Sequence, residues 1–148
     1  MQLRPATADD FAAIVGLLEE TSLIASDLNP AQTASFLLLC ESDQVLACGA
    51  IERFDGRAGL VRSVAVRPTH RGRGLATRVM RSLETHARHR GVDRLFLLTQ
   101  TAAGFFARLH YERCERSLAP EAMRASSQFA GLCPGTAVCM CKDLRAAG

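Results

Sequence analysis

The sequence predicts an α+β domain of the α/β/α type: a mixed, mostly antiparallel sheet flanked by helices. Three observations predict it. Strand-like segments cluster between residues 36 and 66 and recur after residue 93. Helical patterns with one apolar face alternate with them. No linker, repeat or low-complexity tract divides the 148 residues, so a single domain over 1–148 is expected.

The elements follow in order. Leu3-Arg4-Pro5-Ala6 reads as a short edge strand, because Pro5 has no N–H for a central ladder. Thr7 or Asp9 is placed to cap the next helix, where Phe11, Ile14, Val15, Leu17 and Leu18 recur at helical spacing. Thr21 to Asn29 is a loop, and Pro30 opens a short second helix at a tolerated first-turn position. Phe36 to Glu41 and Gln44 to Phe54 are strands joined by Ser42-Asp43, and Asp55-Gly56 marks a second turn. Leu60 to Val66 is the third of this run and stops before Pro68.

An amphipathic helix is expected from Arg73 to Arg90. Leu75, Val79, Met80, Leu83 and Ala87 share one face, Arg73, Arg78, Arg81, Arg88 and Arg90 face water, and Gly91 closes it. Arg94 to Thr99 is a continuously apolar strand of the kind found inside a sheet. A short helix over Ala102 to Leu109, a strand over Tyr111 to Cys114, a helix over Pro120 to Phe129 and a last strand over Thr136 to Leu144 complete the pattern.

Composition narrows the function classes. The net charge of +3, with no run of five Lys/Arg, argues against a nucleic-acid partner. No stretch approaches the ~18 apolar residues of a membrane helix. The start, Met1 to Pro5, has neither an apolar run nor a small-residue cleavage site. A soluble, cytoplasmic protein is the expectation, with its six cysteines as reduced thiols.

The strand ending Ser63-Val64-Ala65-Val66 runs through Arg67-Pro68-Thr69-His70 into Arg71-Gly72-Arg73-Gly74-Leu75-Ala76 and then the long helix. Backbone N–H groups at a helix start have no intrahelical partner, and the helix dipole favours an anion there. Glycines let a backbone approach phosphate closely, so bulk at Gly72 or Gly74 would block the approach. An arginine-rich turn that merely starts a helix is the alternative. The loop matches neither the three-glycine dinucleotide pattern nor the Gly-Lys-Ser/Thr phosphate loop.

These residues resemble the GNAT superfamily of N-acetyltransferases. Its pattern, Arg/Gln-x-x-Gly-x-Gly/Ala after a strand and a Val-Pro-like turn, is met by Arg71, Gly74 and Ala76 after Val64-Ala65-Val66-Arg67-Pro68. The resemblance implies a GNAT fold, with a splay between the fourth and fifth strands where the pantetheine arm of acetyl-CoA inserts. It implies that backbone groups of Val64 and Val66 pair with that arm. Arg71, Gly72, Arg73, Gly74, Leu75 and Ala76 would hold the pyrophosphate, and Phe106 would join the cofactor-binding residues. Acetyl transfer to the amine of a small molecule is the implied activity, with no metal and with the protein a monomer or homodimer. More loosely, Thr99 to Leu109 and the tail residues Arg124, Phe129, Leu132-Cys133-Pro134, Ala137 and Met140 look like GNAT members associated with arsenic-resistance operons, which suggests an amine-bearing arsenical as acceptor.

The expected chemistry is attack of a neutral amine on the thioester. Alignment, an oxyanion contact from a backbone N–H near Ala65 or Val66, and proton transfer would each contribute. Many members of the superfamily have a Tyr proton donor where this chain has Phe106, and some have a base Glu where it has Leu97-Leu98-Thr99. Glu52 is the remaining candidate base; the alternative is a solvated strand residue paired with an Arg. Arg62 is a candidate for binding a substrate carboxylate or phosphate, or else a surface charge. His70 and His110 lie in loops and can titrate or be ordinary surface residues.

Cys139 and Cys141 fall on one face of a strand, with Cys133 upstream and Cys114 on a possible neighbour. This defines a rival reading, a thiol-based metalloid-binding or sensing module on Cys133, Cys139 and Cys141. Small buried apolar thiols are the plain alternative. A catalytically degenerate acetyl-CoA-binding protein is a third reading.

Overall fold

The computed structural model describes residues 1–132 and 136–145. The described residues form seven strands and four α-helices. They are β1 (Gln2–Pro5), α1 (Phe11–Glu20), β2 (Phe36–Glu41), β3 (Gln44–Phe54), β4 (Ala58–Val66), α2 (Leu75–His89), β5 (Arg94–Thr99), α3 (Ala103–Arg108), β6 (Glu112–Arg113), α4 (Glu121–Arg124) and β7 (Val138–Asp143). The sheet order is β1-β2-β3-β4-β5-β7-β6. β1–β2, β2–β3, β5–β7 and β6–β7 are antiparallel, and β4–β5 is parallel. The fold class is thus the expected α+β one.

The parallel β4–β5 ladder pairs only Ala58–Leu60 with Arg94–Phe96. β4 continues to Val66 without further β5 partners, while β5 continues on β7 through Leu97↔Met140 to Thr99↔Val138. This is the parting of the fourth and fifth strands that the resemblance implies.

The chain divides into two compact units. The first comprises Met1–Ile51 and Ser63–Thr85, and the second Glu52–Arg62 and His86–Gly148. In the first unit, Ile14, Leu17 and Leu18 of α1 pack with Phe36, Leu38, Val45, Cys48, Ala50 and Ala65. α2 approaches β3 at Gly49, where an added Cβ would lie 2.9 Å from Leu83 Cδ1 and 3.0 Å from Val79 Cγ1. Only a residue without a side chain admits the helix that close. At the N-terminal edge, Arg4 holds Asp10 through two 2.9 Å bonds, and the Thr7 N–H donates to Asp10 Oδ2 at 2.7 Å. Thr7 therefore caps the short 3-10 turn Ala8–Asp10 that leads into α1, and Asp9 takes no part in the cap.

In the second unit, Ala58, Leu60, Phe96, Ala119 and Met123 form the core, with Phe54, Cys114, Phe129 and Cys141 against it. The β3–β4 hairpin turns at Asp55 (φ +55°) and Gly56 (φ +77°), the pair of left-handed residues a tight hairpin requires. α2 ends as expected at Gly91 (φ +82°): Val92 N–H bonds Ala87 O and Gly91 N–H bonds Arg88 O, which satisfies the last carbonyls.

Several boundaries differ from the sequence reading. α2 starts at Leu75 rather than Arg73, because Gly72 (φ +81°) and Gly74 (φ +74°) are left-handed and cannot be helical. Pro30–Ser35 is a 3-10 helix, capped by Asn29 through Ala31 N–H. The helix expected over Pro120 to Phe129 is α4 followed by a π-helical turn at Gln128–Leu132. Ser126 separates them: its hydroxyl and its N–H both donate to Met123 O, which closes α4 early. β4 begins two residues earlier than expected, and the strand expected over Tyr111 to Cys114 shortens to Glu112–Arg113.

Candidate active site

The loop after β4 is anchored at its root. Arg67 N–H donates to Leu46 O at 2.7 Å, Arg67 Nε and Nη2 both donate to Val45 O at 3.1 and 2.9 Å, and Nη1 lies 3.5 Å from Glu20 Oε2. A 3-10 turn over Pro68–His70 follows, with Thr69 Oγ1 2.9 Å from His70 Nδ1. Arg71, Gly72, Arg73 and Gly74 are exposed, while Leu75 is buried under the start of α2.

The first helical bond of α2 runs from Arg78 N–H to Gly74 O. The N–H groups of Leu75, Ala76 and Thr77 therefore have no acceptor within the helix. A Cβ added at Gly72 or Gly74 meets nothing within 4 Å. The protein itself tolerates bulk there, and what demands glycine is the left-handed backbone together with any ligand seated in that open space.

Backbone orientation along β4 follows from two contacts. Arg67 N–H faces β3 through Leu46 O, and Ala65 N–H lies against the Cys48 sulfur, also on β3. Amide groups alternate in direction along a strand, so Val64 and Val66 present theirs to the opposite side. The Ala65 N–H is thus turned toward β3. The Ala65 side chain is in the core, whereas Val64 and Val66 are half-buried.

Glu52 and Arg62 meet. Arg62 Nη1 donates to Glu52 Oε1 at 3.0 Å, with the Arg62 side chain 3% exposed and that of Glu52 25%. Arg62 is therefore not a surface charge. The Glu52 carboxylate is paired with an arginine, as its alternative reading had it, but beside a buried partner rather than in open solvent.

Phe106 is buried on α3, with ring centroids 5.0 Å from Phe105 and 5.7 Å from Tyr111. Tyr111, the only tyrosine, is 2% exposed and sits beneath Lys142, whose Nζ is 5.5 Å from the ring centroid and donates to Leu109 O. No pattern in the sequence marks this stack, because Lys142 comes from β7, distant along the chain. His110 is exposed with φ +74°, and His70 is half-buried in its loop.

Cys114 Sγ lies 3.6 Å from Cys139 Sγ, and Cys114 N–H donates to Cys139 O. Burial pushes the Cys114 and Cys141 thiols up to about 11 and raises Cys139 as well. Cys133 lies outside the described residues, as does Pro134. Among the described residues no three His, Cys, Asp or Glu side chains are grouped so as to hold a metal ion.

Comparison with known proteins gives the family. A model of the acetyltransferase (GNAT) family matches residues 3–114. The chain is 36% identical over 65 residues to the uncharacterized N-acetyltransferase YsnE of Bacillus subtilis, covering 44% of this chain and 43% of that protein. It is 28% identical over 117 residues to an amino-acid acetyltransferase of Pseudomonas fluorescens, covering 74% of this chain and 27% of that protein. The chain thus spans less than half the length of these relatives. Among solved structures it is similar to Rv2747 from Mycobacterium tuberculosis in complex with CoA and NLQ, with TM-score 0.81, 24% identity and coverage of 97% and 99% of the two chains. It is also similar to N-acetylglutamate synthase from Neisseria gonorrhoeae complexed with coenzyme A and N-acetyl-glutamate, with TM-score 0.84, 22% identity and coverage of 97% and 35%. With most of its length matched by the family model and its sheet parted after Leu60, this chain belongs to the GNAT family of acetyltransferases.

Proposed function

We propose that this protein transfers an acetyl group from acetyl-CoA to the amine of a small molecule. One observation carries the reading: β4 leads through left-handed Gly72 and Gly74, with open space around both, into the N-terminus of α2. That arrangement presents backbone N–H groups and the positive end of a helix dipole to an anion, and Arg71 and Arg73 add charge. The pyrophosphate of acetyl-CoA is the anion proposed. The outward backbone groups of Val64 and Val66 are the proposed partners of the pantetheine arm, with Phe106 as an apolar neighbour of the cofactor.

In the proposed reaction the amine nitrogen bonds to the thioester carbon and the C–S bond breaks. Val66 N–H would stabilise the developing oxyanion. Glu52, paired with Arg62, would take the amine proton directly or through water. Phe106 has no proton to give, so the departing thiolate would take one from water. Arg62 serves this reading as the partner that orients Glu52, and a substrate carboxylate would need to reach that same pair.

Amino acids are the first acceptors to test, since amino-acid acetyltransferases are among the relatives. The experiment is release of free CoA across a panel of amino acids, aminoglycosides, peptide N-termini and an organoarsenical amino acid, preceded by a thermal shift with acetyl-CoA. A shift plus turnover of one amine class is the expected result. A shift with no turnover on any amine would favour the degenerate acetyl-CoA-binding reading, and no shift at all would overturn the proposal.

A further inference from the structure

Ser63 has φ +60° in the body of β4, a conformation that costs a non-glycine residue free energy its surroundings must supply. A left-handed residue inside a strand interrupts the alternation of backbone groups, and its carbonyl needs a partner off the regular ladder. Cys48 Sγ donates to Ser63 O at 3.3 Å. The same sulfur lies against the Ala65 N–H. Cys48 is fully buried, so no water competes for either contact. One sulfur therefore holds the backbone on both sides of Val64. The next residue of β3, Gly49, leaves Val64 room to pack: a Cβ there would lie 3.4 Å from Val64 Cγ2.

We propose that Cys48 is a positioning residue for the acetyl-donor edge, its thiol holding the break at Ser63 that sets the direction in which Val64 and Val66 present their backbone groups. The inference rests on the acetyl-CoA reading above and goes beyond it, because it gives a buried cysteine a task besides filling space. A small apolar filler would leave alanine nearly as good and serine worse. A thiol that bridges backbone groups makes the reverse demand: alanine removes both contacts, while serine keeps a donor and an acceptor at slightly shorter reach.

Three variants separate the two roles. In Cys48→Ala, the Kd and KM for acetyl-CoA rise about tenfold, the weight of one buried hydrogen bond, while KM for the amine stays unchanged. Cys48→Ser recovers most of that loss. Cys48→Ala combined with Ser63→Gly also recovers it, because glycine adopts the left-handed conformation unaided. Thermal melts of each variant identify any that fail to fold, and the serine and double variants keep the comparison intact if alanine alone does. Wild-type protein that binds acetyl-CoA with Cys48→Ala unchanged in Kd and KM overturns the positioning role alone. Wild-type protein that binds no acetyl-CoA overturns the donor reading and this inference with it.

Discussion

Arg62 Nη1 lies 3.0 Å from Glu52 Oε1, which joins into one ion pair the two residues the sequence proposed for separate tasks. Glu52→Gln keeps an oxygen acceptor for Arg62 and removes the proposed base. The expected result is a fall in kcat of about 10²–10⁴-fold with Tm nearly unchanged. Glu52→Ala instead strips a partner from a buried guanidinium and should cost about 1–3 kcal/mol in denaturant unfolding. An unchanged kcat in Glu52→Gln would make the pair purely structural.

The two kinds of glycine in the first unit should fail differently. Gly49→Ala drives a methyl into Leu83 and Val79 and should destabilise the fold by about 1–3 kcal/mol through overpacking. Gly74→Val places its Cβ in open space but must hold φ +74°, at a cost of about 1–2 kcal/mol. Only the second should abolish the thermal shift with acetyl-CoA, measured for each variant against its own ligand-free melt.

The Arg4–Asp10 pair makes stability depend on acid. Hydrogen bonds from Arg4 hold the Asp10 carboxyl below the usual carboxylate range, helped by the Thr7 N–H. A depressed folded pKa means the contribution is full above the ordinary carboxylate value, about pH 4, and is lost as pH falls below it. Asp10→Asn should lower Tm at pH 7 and weaken its decline below pH 4. A parallel decline in both proteins would show that other carboxylates dominate.

The thiols impose the opposite limit. Burial pushes Cys48 up to about 12, and Cys114 and Cys141 up to about 11. A raised folded pKa favours the neutral thiol, so its stabilisation is complete below the unfolded value and fades as pH rises through the folded one. Tm should fall from about pH 9 upward, the range in which unfolded thiols ionise. The thiolate is the reactive form, so native alkylation at neutral pH should be slow, with Cys48 labelled only after denaturation. Rapid labelling of Cys48 in the native state, read by peptide mass spectrometry, would contradict its burial.

Local signals in the sequence carried the strands well. Phe36–Glu41, Gln44–Phe54 and Arg94–Thr99 begin and end where apolar runs meet Ser-Asp, Asp-Gly or polar residues. The glycine-containing loop between β4 and α2 was legible for the same reason, since strand, glycines and helix start are consecutive. The misses came from conformation and register. Left-handed Gly72 and Gly74 delay α2, and the Ser126 hydroxyl divides a helix that composition alone would continue. Ser63 is left-handed inside β4, a break in the strand that no local signal in the sequence marks. Arg62 with Glu52, Cys48 with Ser63 and Cys114 with Cys139 are cross-strand meetings that no spacing within one strand specifies.

Arg67 has its backbone N–H and three side-chain nitrogens committed to Val45, Leu46 and Glu20. The root of the loop is thereby immobilised before a ligand arrives, and little chain entropy remains to be lost on association. Loosening that root with Arg67→Ala would make acetyl-CoA binding entropically costlier without touching any group proposed to meet its pyrophosphate. In a calorimeter the change would fall in the entropy of binding more than in its enthalpy.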